Sequence, residues 1–106
     1  MSKFLVEASY TAEGLKGLLK EKASGRQEAL TRALQSLGGS IDSMHFALGK
    51  HDVVVIADLP DAGVAAALGA AVSATGLVRT RTTALLTVAE MDQALARSPA
   101  YRGPGQ

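Results

Sequence analysis

The chain has 106 residues, a formal net charge of +1 and no cysteine. That length holds one domain, the near-balanced charge gives no field for nucleic acid or an anionic membrane, and the missing thiols exclude a disulfide framework, thiolate catalysis and thiolate metal ligation. With 47% hydrophobic residues, 4% aromatics and no Trp, the core has to be built from Leu, Val, Ile and Ala. Glu7 interrupts the N-terminal stretch where a signal peptide would keep its apolar run. The longest helical apolar run, 62–74, is too short to span a bilayer. The composition is read as that of a soluble cytoplasmic protein.

Phe4, Val6, Ala8 and Tyr10 alternate with Leu5, Glu7 and Ser9, which predicts a strand with one apolar face. Thr11 follows as a helix N-cap, with Glu13 in the first turn. Leu15, Leu18 and Leu19 recur at helical spacing, while Gly14 and Gly17 each weaken the helix by about 1 kcal/mol relative to Ala. A break is expected between Lys20 and Gly25. Ser24 and Gln27 fit a capping box for a second helical piece, carried by the stripe Leu30, Ala33, Leu34 and Leu37. Gly38 and Gly39 stop it, because glycine takes the left-handed C′ geometry at little cost.

A second strand is predicted over 41–48, with Met44, Phe46 and Leu48 on one face and Ser43, His45 and Ala47 on the other. Gly49 and Lys50 make the turn of an antiparallel hairpin. The returning strand, 52–59, carries Val53, Val54, Val55 and Ile56 and so is apolar on both faces. Pro60 suits the first turn of the next helix, Asp61 adds a favourable charge there, and Val64, Leu68, Ala71 and Val72 form its buried stripe. Gly76 ends it. A last long strand runs over 77–88, and Thr87 with Glu90 forms a capping box for a short helix reaching about Ala96. Residues 1–97 are read as the domain and 98–106, rich in Pro and Gly, as a disordered tail.

The order β-α-β-β-α-β, with the first helix in two pieces, fits a ferredoxin-like α+β fold with an antiparallel four-stranded sheet. Its helices cover one face. Valines on both faces of the central strand predict a homodimer, or a higher homo-oligomer, with sheets face to face.

Gly49, His51 and Asp52, followed by an apolar strand ending in Pro60-Asp61, resemble the GYD-domain family, named for a Gly-x-Tyr-Asp turn. Tyr10-Thr11-x-x-Gly14, Gly38-Gly39 and Gly76-x-Val78-Arg79-Thr80 extend the resemblance over about residues 3 to 96. His51 stands where the signature has its aromatic Tyr. The resemblance implies a dimeric α+β barrel with no established activity. Related barrels include cofactor-free monooxygenases, haem-degrading enzymes and small stress-responsive proteins.

Strand parity gathers the polar residues on the face away from the helices: Glu7 and Ser9, then Ser43 and His45, then Asp58, then Arg79, Arg81 and Thr83. His45, Glu7 and Asp58 are the candidate catalytic residues, since imidazole beside carboxylate suits proton transfer. Arg79, Arg81 and His51 are the candidate ligand-binding residues, since paired guanidinium groups clamp a carboxylate or phosphate. Each has a plainer reading. Glu7 and Arg81 would form an ion pair that fixes register. His45 would be a hydrogen-bonded strand residue, and His51 and Asp52 would shape the turn, since adjacent residues point to opposite faces. The arginines would dress a half-exposed edge, and Tyr10 would sit in the core with its hydroxyl at the strand end.

There is no G-x-G-x-x-G, P-loop, H-E-x-x-H or G-x-S-x-G. With two His and no Cys, no metal site is expected, and the motifs call for no cofactor. No aromatic-plus-basic surface for RNA is present. The leading functional expectation is a small homo-oligomeric binding or structural module that takes a small-molecule ligand. The alternatives are a cofactor-independent enzyme, monooxygenase-like or proton-transferring, whose sign would be a cavity holding His45 or Arg81 beside apolar walls, and a haem-binding protein with His45 or His51 as axial ligand.

Overall fold

The computed structural model describes residues 1–106. Four strands, β1 (Ser2–Tyr10), β2 (Ser40–Phe46), β3 (Val53–Leu59) and β4 (Val78–Leu85), alternate with α1 (Ala12–Ser36), α2 (Ala62–Ala74) and α3 (Val88–Leu95). The strands form one sheet in the order β2-β3-β1-β4, antiparallel throughout. This is the ferredoxin-like arrangement expected. The sheet of a single chain is open, with β2 and β4 as edges, so one copy does not close the barrel that the resemblance implies. No helix is long and apolar enough to cross a membrane.

The alternation in β1 and β3 decides where the core lies. Phe4, Val6 and Ala8 pair with Ala57, Val55 and Val53, and side chains two apart share a face. Val53, Val55, Ala57 and Leu59 are buried under the helices with Phe4, Leu34, Ala65 and Leu68. Val54 and Ile56 are only half-buried, because they occupy the other face, which no helix covers. A buried set of 8 residues is thin for this length, and it leaves apolar surface unspent.

The helices begin and end largely where side-chain chemistry dictates. Thr11 caps α1, accepting from the Gly14 N–H. The α1 backbone leaves helical geometry at Lys22, with φ 71° and ψ 169°, inside the expected interval but ahead of Ser24, which lies within the second segment and does not cap it. That segment ends in a Schellman motif: the Gly39 N–H donates to the Leu34 carbonyl and the Gly38 N–H to that of Gln35. Leu30, Leu34 and Leu37 face the core as expected. Leu15 and Leu19 do not; both are exposed. The anchor of the first segment is Gly14, where an added Cβ would lie 2.0 Å from the Leu77 carbonyl oxygen.

Asp61, rather than Pro60, starts α2: its Oδ1 accepts from the Val64 N–H at 2.9 Å, so Pro60 precedes the cap. Of the expected α2 stripe, Leu68 is buried and Val64 and Val72 pack half-buried against the core, while Ala65 is buried and Ala71 is exposed. Thr87 and Glu90 form the expected capping box, but α3 buries no residue. It carries Val88 (82% exposed), Met91 and Leu95 (67% exposed) outward. The chain is 58 Å long with a radius of gyration of 16.9 Å, against about 13 Å for a compact chain of this length. Residues 97–106 form no helix or strand.

Candidate functional site

The site is built where the hairpin loop 47–52 folds back over the end of β1. The loop is longer than the two-residue turn predicted, because pairing stops at Phe46 and resumes at Val53. Its neck is closed by Ala47 N–H to the Asp52 carbonyl at 2.8 Å, and it is tied to β1 by Asp52 N–H to the Ala8 carbonyl at 2.8 Å. The Asp52 carboxylate accepts from the Tyr10 N–H at 2.8 Å, which satisfies a backbone donor that no strand reaches. Asp52 therefore has the structural role expected for it.

That clamp fixes its neighbour. His51 turns onto the uncovered face, where its Nε2 lies 3.5 Å from Oε2 of Glu7 and its Nδ1 lies 3.4 Å from Oγ of Ser9. Both side chains come from one face of β1, two residues apart. A ring proton on Nε2 satisfies both contacts: the ring donates to Glu7 and accepts from Ser9, a tautomer assigned from the network. Across the sheet, Glu7 stands opposite Arg81 and Ser9 opposite Arg79. Glu7, Ser9, His51, Arg79, Thr80 and Arg81 line an open cavity of about 230 Å³ without an apolar wall. The expected Glu7–Arg81 ion pair is not made; the carboxylate turns to His51, and both arginines are exposed and without an ion pair.

The three candidate catalytic residues share the uncovered face but do not meet. His45 is exposed on the edge strand β2 opposite Val54, which in turn stands opposite Glu7. Two strand spacings, about 10 Å, thus separate His45 from Glu7. Asp58 accepts from Lys3 Nζ at 3.0 Å, and Asp42 accepts from the same ammonium at 3.4 Å. The hydrogen bond to Asp58 is the first cause of the raised Lys3 pKa, with Asp42 adding to it. The candidate ligand-binding residues His51, Arg79 and Arg81 do come together. Of the two imidazoles, His51 is the one held in a network, with Glu7 and Ser9 at its two nitrogens.

A second cavity, of about 70 Å³, lies on the helix side between α1 and α2, with Tyr10 and Arg26 at its polar end. The sign set for an enzyme is therefore split. The cavity with apolar walls holds neither His45 nor Arg81, and the one with Arg81 is lined by no apolar residue.

Ser9, Tyr10 and Arg26 are not among the candidate site residues that the sequence pattern gives. For Ser9 the signal is present, since it shares parity with Glu7. For Arg26 there is none, because a lone cation in a helical stretch looks like any wet-face residue.

The family model described as GYD domain matches residues 4–95. The chain belongs to the GYD domain family. No curated protein and no solved structure matches it. Within this GYD domain the matched region takes in β1 from Phe4 onward, the other three strands, both packed helices and all six residues of the polar cavity. The turn Gly49–Asp52 lies in that matched region and carries His51 to Glu7, with Asp52 as its clamp.

Proposed function

We propose that this GYD-domain protein is a homo-oligomeric binding module without catalysis of its own, in which a second copy closes the uncovered sheet face and His51, Arg79 and Arg81 hold a small anion at the edge of that interface. The observation that carries the reading is the uncovered face. Leu5, Val54 and Ile56 lie side by side there, with Leu5 opposite Ile56, while the helices shield only the other side. Fully burying one such side chain is worth roughly 1.5–3 kcal/mol, so a two-fold pairing that buries the patch twice supplies a driving force a single copy leaves unused.

The anion part rests on two guanidinium groups two residues apart on one strand face, with no carboxylate bound to either, beside a ring that is held in place. The reading takes the protein as cytoplasmic, in keeping with its lack of cysteine.

Light scattering tests the first part. The expected mass is a multiple of 10.9 kDa, and Ile56→Asp, which sets a charge on the proposed contact, gives a single-copy particle with an unchanged far-ultraviolet spectrum. A wild-type particle of 10.9 kDa at micromolar concentration would overturn it. Titration with inorganic phosphate tests the second: heat is expected with the wild type and is lost in Arg79→Gln/Arg81→Gln.

One observation favours a second reading, cofactor-independent proton transfer. Ser9 Oγ, His51 and Glu7 form a hydroxyl–imidazole–carboxylate relay, an arrangement able to accept a substrate proton while the carboxylate orients the ring. On this reading a turnover with a small substrate disappears in His51→Gln and survives in His45→Ala.

A further inference from the structure

The helix-covered side of the sheet holds a feature that neither reading uses. α1 and α2 pack onto the sheet but make next to no contact with each other, and between them runs the slot of about 70 Å³. Valines of β1 and β3 floor it, and Leu30, Leu68 and Val72 wall it. Arg26 is the only charged residue in its lining. At Tyr10 and Arg26 the slot adjoins a wider outer cavity of about 180 Å³, whose lining includes both residues.

The polar end is equipped for an anion. The Tyr10 phenol is pushed above its ordinary pKa, first by burial, with Asp52 and Glu21 adding and Arg26 opposing, so the hydroxyl keeps a proton to donate. Arg26 has one ion-pair partner, Glu21, at 3.3 Å through Nη1, and both side chains are more than a third exposed. Such a pair is weak, and the guanidinium retains further N–H donors.

The side of the slot beside Thr80 and Thr82 is kept open by a residue that stability alone would not select. Gly69 of α2 lines the slot, and a Cβ added there would meet Thr80 Oγ1 at 3.5 Å, an ordinary contact. Alanine would therefore fit and would favour the helix by about 1 kcal/mol. Glycine leaves the volume free.

We propose that this slot binds a short-chain aliphatic monocarboxylate, with its tail between Val55 and Leu68 and its carboxylate on Arg26 and the Tyr10 hydroxyl. The volume is under half of the roughly 150 Å³ that accommodates benzene in an apolar cavity. At benzene's share of about 25 Å³ per carbon it holds about three carbons of an aliphatic tail and no six-membered ring, with the carboxylate end at the mouth beside the outer cavity.

The test is a titration of the full chain, followed by amide and methyl NMR, with pentanoate and with pentylamine in parallel. Pentanoate is expected to bind with shifts at Leu68, Val72 and Arg26, and pentylamine is not. Arg26→Gln should weaken pentanoate by roughly tenfold or more, equivalent to at least about 1.4 kcal/mol, with the spectrum otherwise retained. Gly69→Ala should melt higher than the wild type yet bind pentanoate more weakly, a pairing of effects that a merely underfilled core would not produce. Pentanoate leaving the wild type unshifted at millimolar concentration, pentylamine binding equally well, or both variants binding like the wild type would each overturn the proposal. The slot lies on the opposite face of the sheet from the proposed subunit contact, so its test is independent of the oligomeric state.

Discussion

Lys22 is the one residue other than glycine with a positive φ, and its ψ of 169° puts it in a region essentially confined to glycine. Holding a side chain there costs about 1–3 kcal/mol. The Lys22 side chain is exposed and takes part in none of the ion pairs, so its removal sacrifices no contact. Lys22→Gly releases the strain and widens the unfolded ensemble at a cost of about 0.5–1 kcal/mol. The net expectation is a gain of about 1 kcal/mol, or about 4 °C in Tm for a domain of this size. Lys22→Ala keeps the strained backbone and should stay within about 0.5 kcal/mol of the wild type. Thermal and urea melts by circular dichroism compare the three proteins at one fixed concentration, since association makes Tm concentration-dependent. An unbroken helix predicts the reverse order, with alanine neutral or better and glycine worse by about 1 kcal/mol. That result would refute the break in α1.

Leu34→Ala, at a wholly buried position, should cost about 2–5 kcal/mol in urea unfolding; a loss under about 1 kcal/mol would mean that the core is not centred there. Asp52→Ala leaves the Tyr10 N–H without its acceptor and should cost about 1–3 kcal/mol, with the His51 ring resonances moving because the loop that holds them is released. Alkaline stability should depend on Tyr10. Its phenol pKa is raised above the ordinary 10.0, so the fold favours the neutral form. That contribution is complete below the unfolded value and is lost as pH rises through the folded one. Tyr10→Phe should flatten this alkaline loss in pH-dependent unfolding, and an unchanged profile would count against the burial of the hydroxyl.

Local patterning in the chain fixes the element order, the faces of β1 and β3 and most helix ends. Alternation in Phe4–Tyr10, the apolar run from Val53 and the glycine at 38 act through local sterics and hydrogen bonding, which neighbouring residues settle among themselves. It also gathers Glu7, Arg79 and Arg81 on one face, because parity needs only a consistent register. Which groups meet depends on long-range packing. The choice of His51 over His45 as the partner of Glu7 depends on how the loop 47–52 is clamped by Asp52 onto β1, a contact across more than 40 residues of chain. The exposure of Leu15 and Leu19, the gap between α1 and α2, and the outward apolar face of α3 have the same origin. A periodic stripe states that a helix has a side to bury, but only the placement of the other elements determines whether anything in the same chain is there to cover it.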